Sequence, residues 1–156
     1  MITTKIEIKD YLAEYVRGKY NNHEDGPVRF PDNLDIYHVI YDLMAKRPQN
    51  GIDTGNLEIY LPERSIGKRP EFYNYLSERS IRIIERKLQI MFYSEVHEYF
   101  DDNKHREGID YIHSACIFLN RYSITSLSED ALIKSHKRWR DKCRQRKIRS
   151  YSKKSA

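Results

Sequence analysis

Residues 71–103 read EFYNYLSERSIRIIERKLQIMFYSEVHEYFDDN. Leu76, Ile81, Ile84, Leu88, Met91, Phe92, Val96, Tyr99 and Phe100 recur at the three- and four-residue spacing of one helical face, and Ile83 and Ile90 widen it. The pattern predicts a helix over about residues 71–103, spanning close to ~50 Å, with Ser77–Ser80 as the place where it would break. An element this long and apolar on one side is the expected centre of the fold. A narrow stripe of this length also calls for a covering partner, so a homodimer through this helix is expected.

Toward the N-terminus, Ile8, Tyr11, Leu12, Tyr15 and Val16 predict a first helix over about 7–20. A polar turn is expected at 21–27. Val28-Arg29-Phe30 reads as a brief strand before Pro31. Leu34, Tyr37, Ile40, Tyr41 and Met44 predict a second helix over 33–46, capped by Asp32 or Asn33 and stopped by Pro48. Leu57–Leu61 alternates apolar and polar side chains and predicts a strand, paired with 28–30 as a two-stranded ribbon lying on helices. Residues 65–70 are expected to form a loop. The fold class is therefore mainly α (α+β), a helical domain with a minor ribbon.

Toward the C-terminus, Asp101, Asp102, Asn103 and Gly108 mark a boundary. Ile109, Ile112, Cys116 and Leu119 predict a helix over 108–121. A last helix is expected over about 127–147, started by Ser126 or Ser128; Ser126 and Glu129 have the spacing of a capping box. Residues 1–147 are expected to form one domain with its core over about 5–122, followed by a disordered basic tail, 148–156.

The chain has 156 residues and a formal net charge of +5. Residues 134–156 hold 11 of the 28 Lys and Arg but only one of the 23 Asp and Glu, Asp141. An acidic body is thus joined to a strongly basic C-terminus. No apolar run approaches the ~18 residues of a membrane helix, and the N-terminus lacks the pattern of a signal peptide, so no membrane is expected as a partner. Two cysteines, Cys116 and Cys143, form no framework and suit a reducing cytoplasm. Cys116 is expected in the core. Most of the 13 tyrosines are expected at half-buried core edges, where the ring packs and the hydroxyl stays wet.

The basic helix carries Lys134, Lys137, Arg138, Arg140, Lys142, Arg144, Arg146 and Lys147. Leu132, His136, Trp139 and Cys143 share a stripe through which it would dock. Phosphates account well for such density, because each Lys or Arg near a phosphate displaces a condensed counterion and Arg adds a bidentate fork. These eight residues are the expected nucleic-acid contacts, with DNA ahead of RNA. Trp139 is read as a packing anchor, and as a base-stacking residue if exposed. Arg64, Lys68 and Arg69 form a local basic loop suited to accessory phosphate contact. The pair 108–121 and 128–147 invites a helix-turn-helix reading, against which the connection 122–127 is long and lacks Gly. A generic helical hairpin is equally compatible.

No catalytic residue, metal or cofactor is assigned. His97, Asp101 and His105 fall at i, i+4, i+8 and would be the ligands of a metal-dependent nuclease, but the solvated end of a long helix explains them as well. Gly67-Lys68 lacks the earlier Gly and following Ser or Thr of a phosphate loop. Cys143, between Lys142 and Arg144, has no catalytic base to pair with.

Asn56-Leu57-Glu58-Ile59-Tyr60-Leu61-Pro62 and Ser128-Glu129-Asp130-Ala131-Leu132-Ile133-Lys134, with Arg138-Trp139-Arg140, are similar to stretches of small prophage and mobile-element proteins. The strand ending in Tyr-aliphatic-Pro also resembles the Mor family of phage transcription activators, in which a short strand precedes a C-terminal helix-turn-helix. Here a long apolar helix follows the strand instead, so no functional residue is carried over. The resemblance implies phage-associated DNA work. The expected function is a non-enzymatic nucleic-acid-binding protein, a regulator or accessory factor of a mobile element. The alternative is an assembly module whose basic arm binds an acidic protein.

Overall fold

The computed structural model describes residues 1–21 and 25–155. It is mainly helical, with one two-stranded sheet. The chain packs as two compact units. The first contains residues 1–92 and 122–126, the second 93–121 and 127–156.

In the first unit, β1 (Thr3–Ile6) pairs antiparallel with β2 (Leu57–Tyr60), Thr3 opposite Tyr60 and Ile6 opposite Leu57. This corrects the expected ribbon of 28–30 with 57–61. Val28 does lie beside β2, but only as a single parallel bridge: its N–H donates to the Glu58 carbonyl and its carbonyl accepts from Tyr60 N–H, both at 2.9 Å. The signal for β1 is the run of β-branched Ile2, Thr3, Thr4 and Ile6. Ile6, Leu57 and Ile59 all point into the core.

Helix α1 (Asp10–Tyr20) starts later than expected because the Ile8 backbone bonds Asn56, its N–H donating to Oδ1 at 3.0 Å and its carbonyl accepting from Nδ2 at 2.6 Å, and the helix buries the predicted face, Tyr11, Leu12, Tyr15 and Val16. Of the polar turn expected at 21–27, residues 22–24 lie outside the described residues. Helix α2 (Asp35–Leu43) is shorter than 33–46. Leu34 takes the N-cap position with no side-chain cap, so neither Asp32 nor Asn33 caps it. Its end is set by pairing: Ala45 and Tyr75 exchange backbone hydrogen bonds of 3.0 and 3.1 Å, which requires extended backbone.

That pairing also explains why the long helix α3 (Glu78–Asp102) does not begin at residue 71. Its start falls in the Ser77–Ser80 window, where Ser77 Oγ accepts from Ser80 N–H at 3.2 Å and its carbonyl accepts from Ile81 N–H at 2.9 Å. Its 25 residues span about 37 Å. Leu76, Ile84, Leu88 and Phe92 are buried in the first unit. Ile83 and Ile90, expected to widen the stripe, are exposed. Phe92 packs edge-on to Tyr15 at 5.0 Å, and Tyr15 packs edge-on to Tyr122 at 5.1 Å.

The segment 122–126 is held in this first unit by Glu14. Its carboxylate accepts from the backbone N–H and hydroxyl of both Thr125 and Ser126, at 2.8–3.3 Å. Burial opposes ionisation of Glu14, but the hydrogen bonds from Ser126 and Thr125 outweigh it and hold the carboxyl below its ordinary value. Ser126 is therefore spent on Glu14 and does not form the expected capping box with Glu129.

The second unit contains the rest of α3, α4 (Tyr111–Arg121) and α5 (Glu129–Lys154). After Asp102 the backbone continues as a π-helical turn, Asn103–Glu107, closed by Gly108 at φ 67°. Buried Asn103 donates from Nδ2 to Ser114 Oγ at 3.1 Å, tying the turn to α4. Helix α4 buries Ser114, Ala115, Phe118 and Leu119. Of the expected stripe Ile109, Ile112, Cys116 and Leu119, only Leu119 is buried: Ile112 is exposed, and Ile109 and Cys116 are half-buried, so Cys116 is not core. The face turns to bury Ala115 and Phe118 beside Leu119, and the Phe118 ring brings more apolar area inward than Cys116 would. Ser128 caps α5, accepting from Ala131 N–H at 3.2 Å. The helix then runs to Lys154, past the expected end at Lys147, so residues 148–154 are helical where a disordered tail was expected. Among the described residues no helix is long and apolar enough to cross a membrane.

Candidate nucleic-acid interface

Helix α5 is docked by few residues. Leu132 is fully buried and His136 is 2% exposed. His136 Nε2–H donates to Asp101 Oδ1 at 2.9 Å, and its ring sits between those of Phe100, at 5.3 Å, and Tyr111, at 4.9 Å. Trp139 lies two-thirds covered, at 37% exposure, stacked on the half-buried His97 ring with centroids 4.8 Å apart and planes 20° from parallel. A 3.3 Å hydrogen bond joins His97 Nε2 to Ser135 Oγ. Burial pushes the His97 imidazole down to about 4, His136 adds to this, and Asp101 opposes it, so His97 is neutral at pH 7.

These contacts account for two of the three residues considered as metal ligands. Asp101 is occupied by His136 and His97 lies under Trp139. His105 sits in the π-helical turn and is exposed. The wider turn breaks the i, i+4, i+8 spacing that would have aligned the three. Among the described residues no three His, Cys, Asp or Glu side chains gather as a metal-binding group.

The predicted basic residues divide into two sets. Lys134 pairs with Asp130 at 2.8 Å, and Arg140 donates to the Tyr111 hydroxyl at 3.1 Å while lying over its ring. Lys137, Arg138, Lys142, Arg144, Arg146 and Lys147 are exposed. Because α5 continues, Arg149, Lys153 and Lys154, expected in the tail, join them on the same helix. The absence of Gly and Pro from 143–154 was the available signal.

Residues 142–154 therefore present seven exposed Lys and Arg and no acid. Among the described residues none of the seven lies within ion-pair distance of a carboxylate. Lys134, Arg138, Lys142, Arg146, Arg149 and Lys153 follow one another at steps of three and four, a single slowly winding stripe. Lys142 with Arg146, and Arg149 with Lys153, are like-charge i, i+4 pairs that disfavour the helix unless anions lie between them.

The accessory loop belongs to the first unit. Arg64 lies over the Tyr41 ring, 3.8 Å from its centroid, and against His38 Nδ1 at 2.6 Å. Lys68 Nζ donates to the Asp42 carbonyl at 2.7 Å. Gly67 is required here: at φ +109° a Cβ would lie 2.1 Å from the Tyr41 hydroxyl. That hydroxyl accepts from Lys68 N–H at 2.8 Å. Arg64 and Lys68 thus brace the loop, and Arg69 stays exposed.

The 14 Lys and Arg of the first unit balance 14 Asp and Glu, while the second carries 14 against 9. The whole net charge of the protein resides in the second unit. Comparison with protein-family models, curated proteins and solved structures finds no match.

Proposed function

We propose that the protein binds nucleic acid through the outer half of α5, as a non-enzymatic regulator or accessory factor of a prophage or mobile element, with DNA as its principal partner. The observation that carries this reading is the run of seven exposed Lys and Arg over 142–154 with no carboxylate among them. Phosphates would relieve the like-charge strain along the helix and release counterions in doing so. The helix dipole accounts only for the last turn, Lys153 and Lys154, so it does not explain the rest. Reduced thiols at Cys116 and Cys143 are compatible with a cytoplasmic setting.

The test is a salt titration of DNA affinity with the full chain and with a variant carrying Lys142→Gln, Arg144→Gln, Arg146→Gln and Lys147→Gln. If all four contact phosphates of a duplex, the slope of log affinity against log salt becomes shallower by about 3.6. An unchanged slope, or a slope near zero for the parent, refutes the phosphate mechanism and leaves the acidic-protein reading. Substitution is preferable to truncation at residue 133, which would remove His136 and Trp139 from their packing.

A further inference from the structure

We propose that Trp139, stacked on His97, forms with the neighbouring depression a seat for one unpaired base and its phosphate, so that the ligand of α5 is a single-stranded nucleic acid. This deepens the reading of α5 as a nucleic-acid-binding helix and rests on it.

Trp139 is the one tryptophan of the chain. It shares its docking stripe with buried Leu132 and His136 and half-buried Cys143, and it keeps 37% of its surface open. The His97 ring supports one indole face in a near-parallel stack, and a base added to the accessible part of the indole would extend that stack. Aromatic stacking of this kind selects unpaired bases, because bases within a duplex are already covered by their neighbours.

Beside the stack lies a polar depression of about 560 Å³, lined by Tyr93, Ser128, Lys134, Ser135 and Arg138 together with Asp130. Tyr93 and Ser135 connect it to the stack: the Tyr93 ring lies 6.1 Å from that of His97, and the Ser135 hydroxyl bonds His97 Nε2. Asp130 neutralises Lys134. Arg138 therefore supplies the phosphate contact, and Ser135 adds a hydroxyl. Arg138 also opens the unpaired part of the basic stripe, so a strand seated at Trp139 continues along Lys142, Arg146 and Arg149.

Binding is measured with a dT 20-mer, a U 20-mer and a 20-base-pair duplex, by anisotropy of the labelled oligonucleotide and by emission of Trp139. The expected result is quenching by the single strands and roughly tenfold or greater preference for them over duplex at equal salt. Trp139→Ala should lose roughly tenfold or more in single-strand affinity with little change for duplex, and Trp139→Phe, which keeps a ring and guards against misfolding, should lose less. The dT and U arms identify DNA or RNA as the source of the strand. Unchanged emission at saturating dT, or equal loss for strand and duplex in Trp139→Ala at intact helicity, overturns the seat and leaves the charged half of α5 standing. No binding by any of the three probes at low salt overturns both.

Discussion

The two halves of α5 are one continuous helix in two environments. Residues 129–141 hold three acids and four bases, bury Leu132 and His136, and engage Lys134 and Arg140 with partners. Residues 142–154 hold seven bases and no acid, and apart from half-buried Cys143 every side chain is exposed, including Ile148 at 65% and Tyr151 at 70%. Charge density alone does not separate functional from structural cations; the docked half shows that a Lys or Arg within reach of a carboxylate or phenol is spoken for. Among the described residues the outer half makes no such contacts, and packing does not explain its composition.

The sharpest way to break this contrast is to truncate one apolar residue in each half. Leu132→Ala should cost about 2–5 kcal/mol by urea denaturation, since it empties a fully buried site. Ile148→Ala should change stability by less than about 0.5 kcal/mol. Equal effects would mean that the outer half is also packed.

The docked half should also respond to pH. The imidazole of His97 is depressed from 6.5 to about 4 when folded, so the unfolded chain binds more protons between those values. The stabilisation is complete above about pH 6.5 and is lost as pH falls toward 4. Solvent screening of this half-exposed ring limits the effect to about 1–2 kcal/mol. His97→Phe, which keeps a ring against Trp139, should flatten that part of the stability profile; an unaltered profile would show that His97 titrates normally.

The smallest of these effects concerns the start of the helix. Ser128→Ala removes the hydroxyl that accepts from Ala131 N–H and should cost about 1 kcal/mol in thermal unfolding. Ser126→Ala should not reproduce it through the α5 cap, because Ser126 bonds Glu14.

Much of the architecture is legible in the chain. Tyr11, Leu12, Tyr15 and Val16 repeat at helical spacing and are buried together, and Ile84, Leu88, Phe92, Val96 and Phe100 do the same along α3. The accumulation of Lys and Arg after residue 133 is equally plain. What remained hidden depended on competition between alternatives of similar local merit. Strand 57–60 had two short β-branched candidates beside it, and full pairing went to Thr3–Ile6 while Val28 kept one bridge. Helix α4 could turn either Cys116 or Phe118 inward beside Leu119, and Phe118 took the inner place.

The sequence by itself therefore determined the helical class, the faces of α1 and α3, and the concentration of positive charge in one terminal segment, because periodicity and composition are short-range properties. Only the tertiary structure decided where α3 begins, how far α5 extends, and which cations are already paired. It also decided that His97 lies beneath Trp139 while His105 turns away. These outcomes depend on which distant side chains compete for the same buried space or the same hydrogen bond, and that competition is settled by packing.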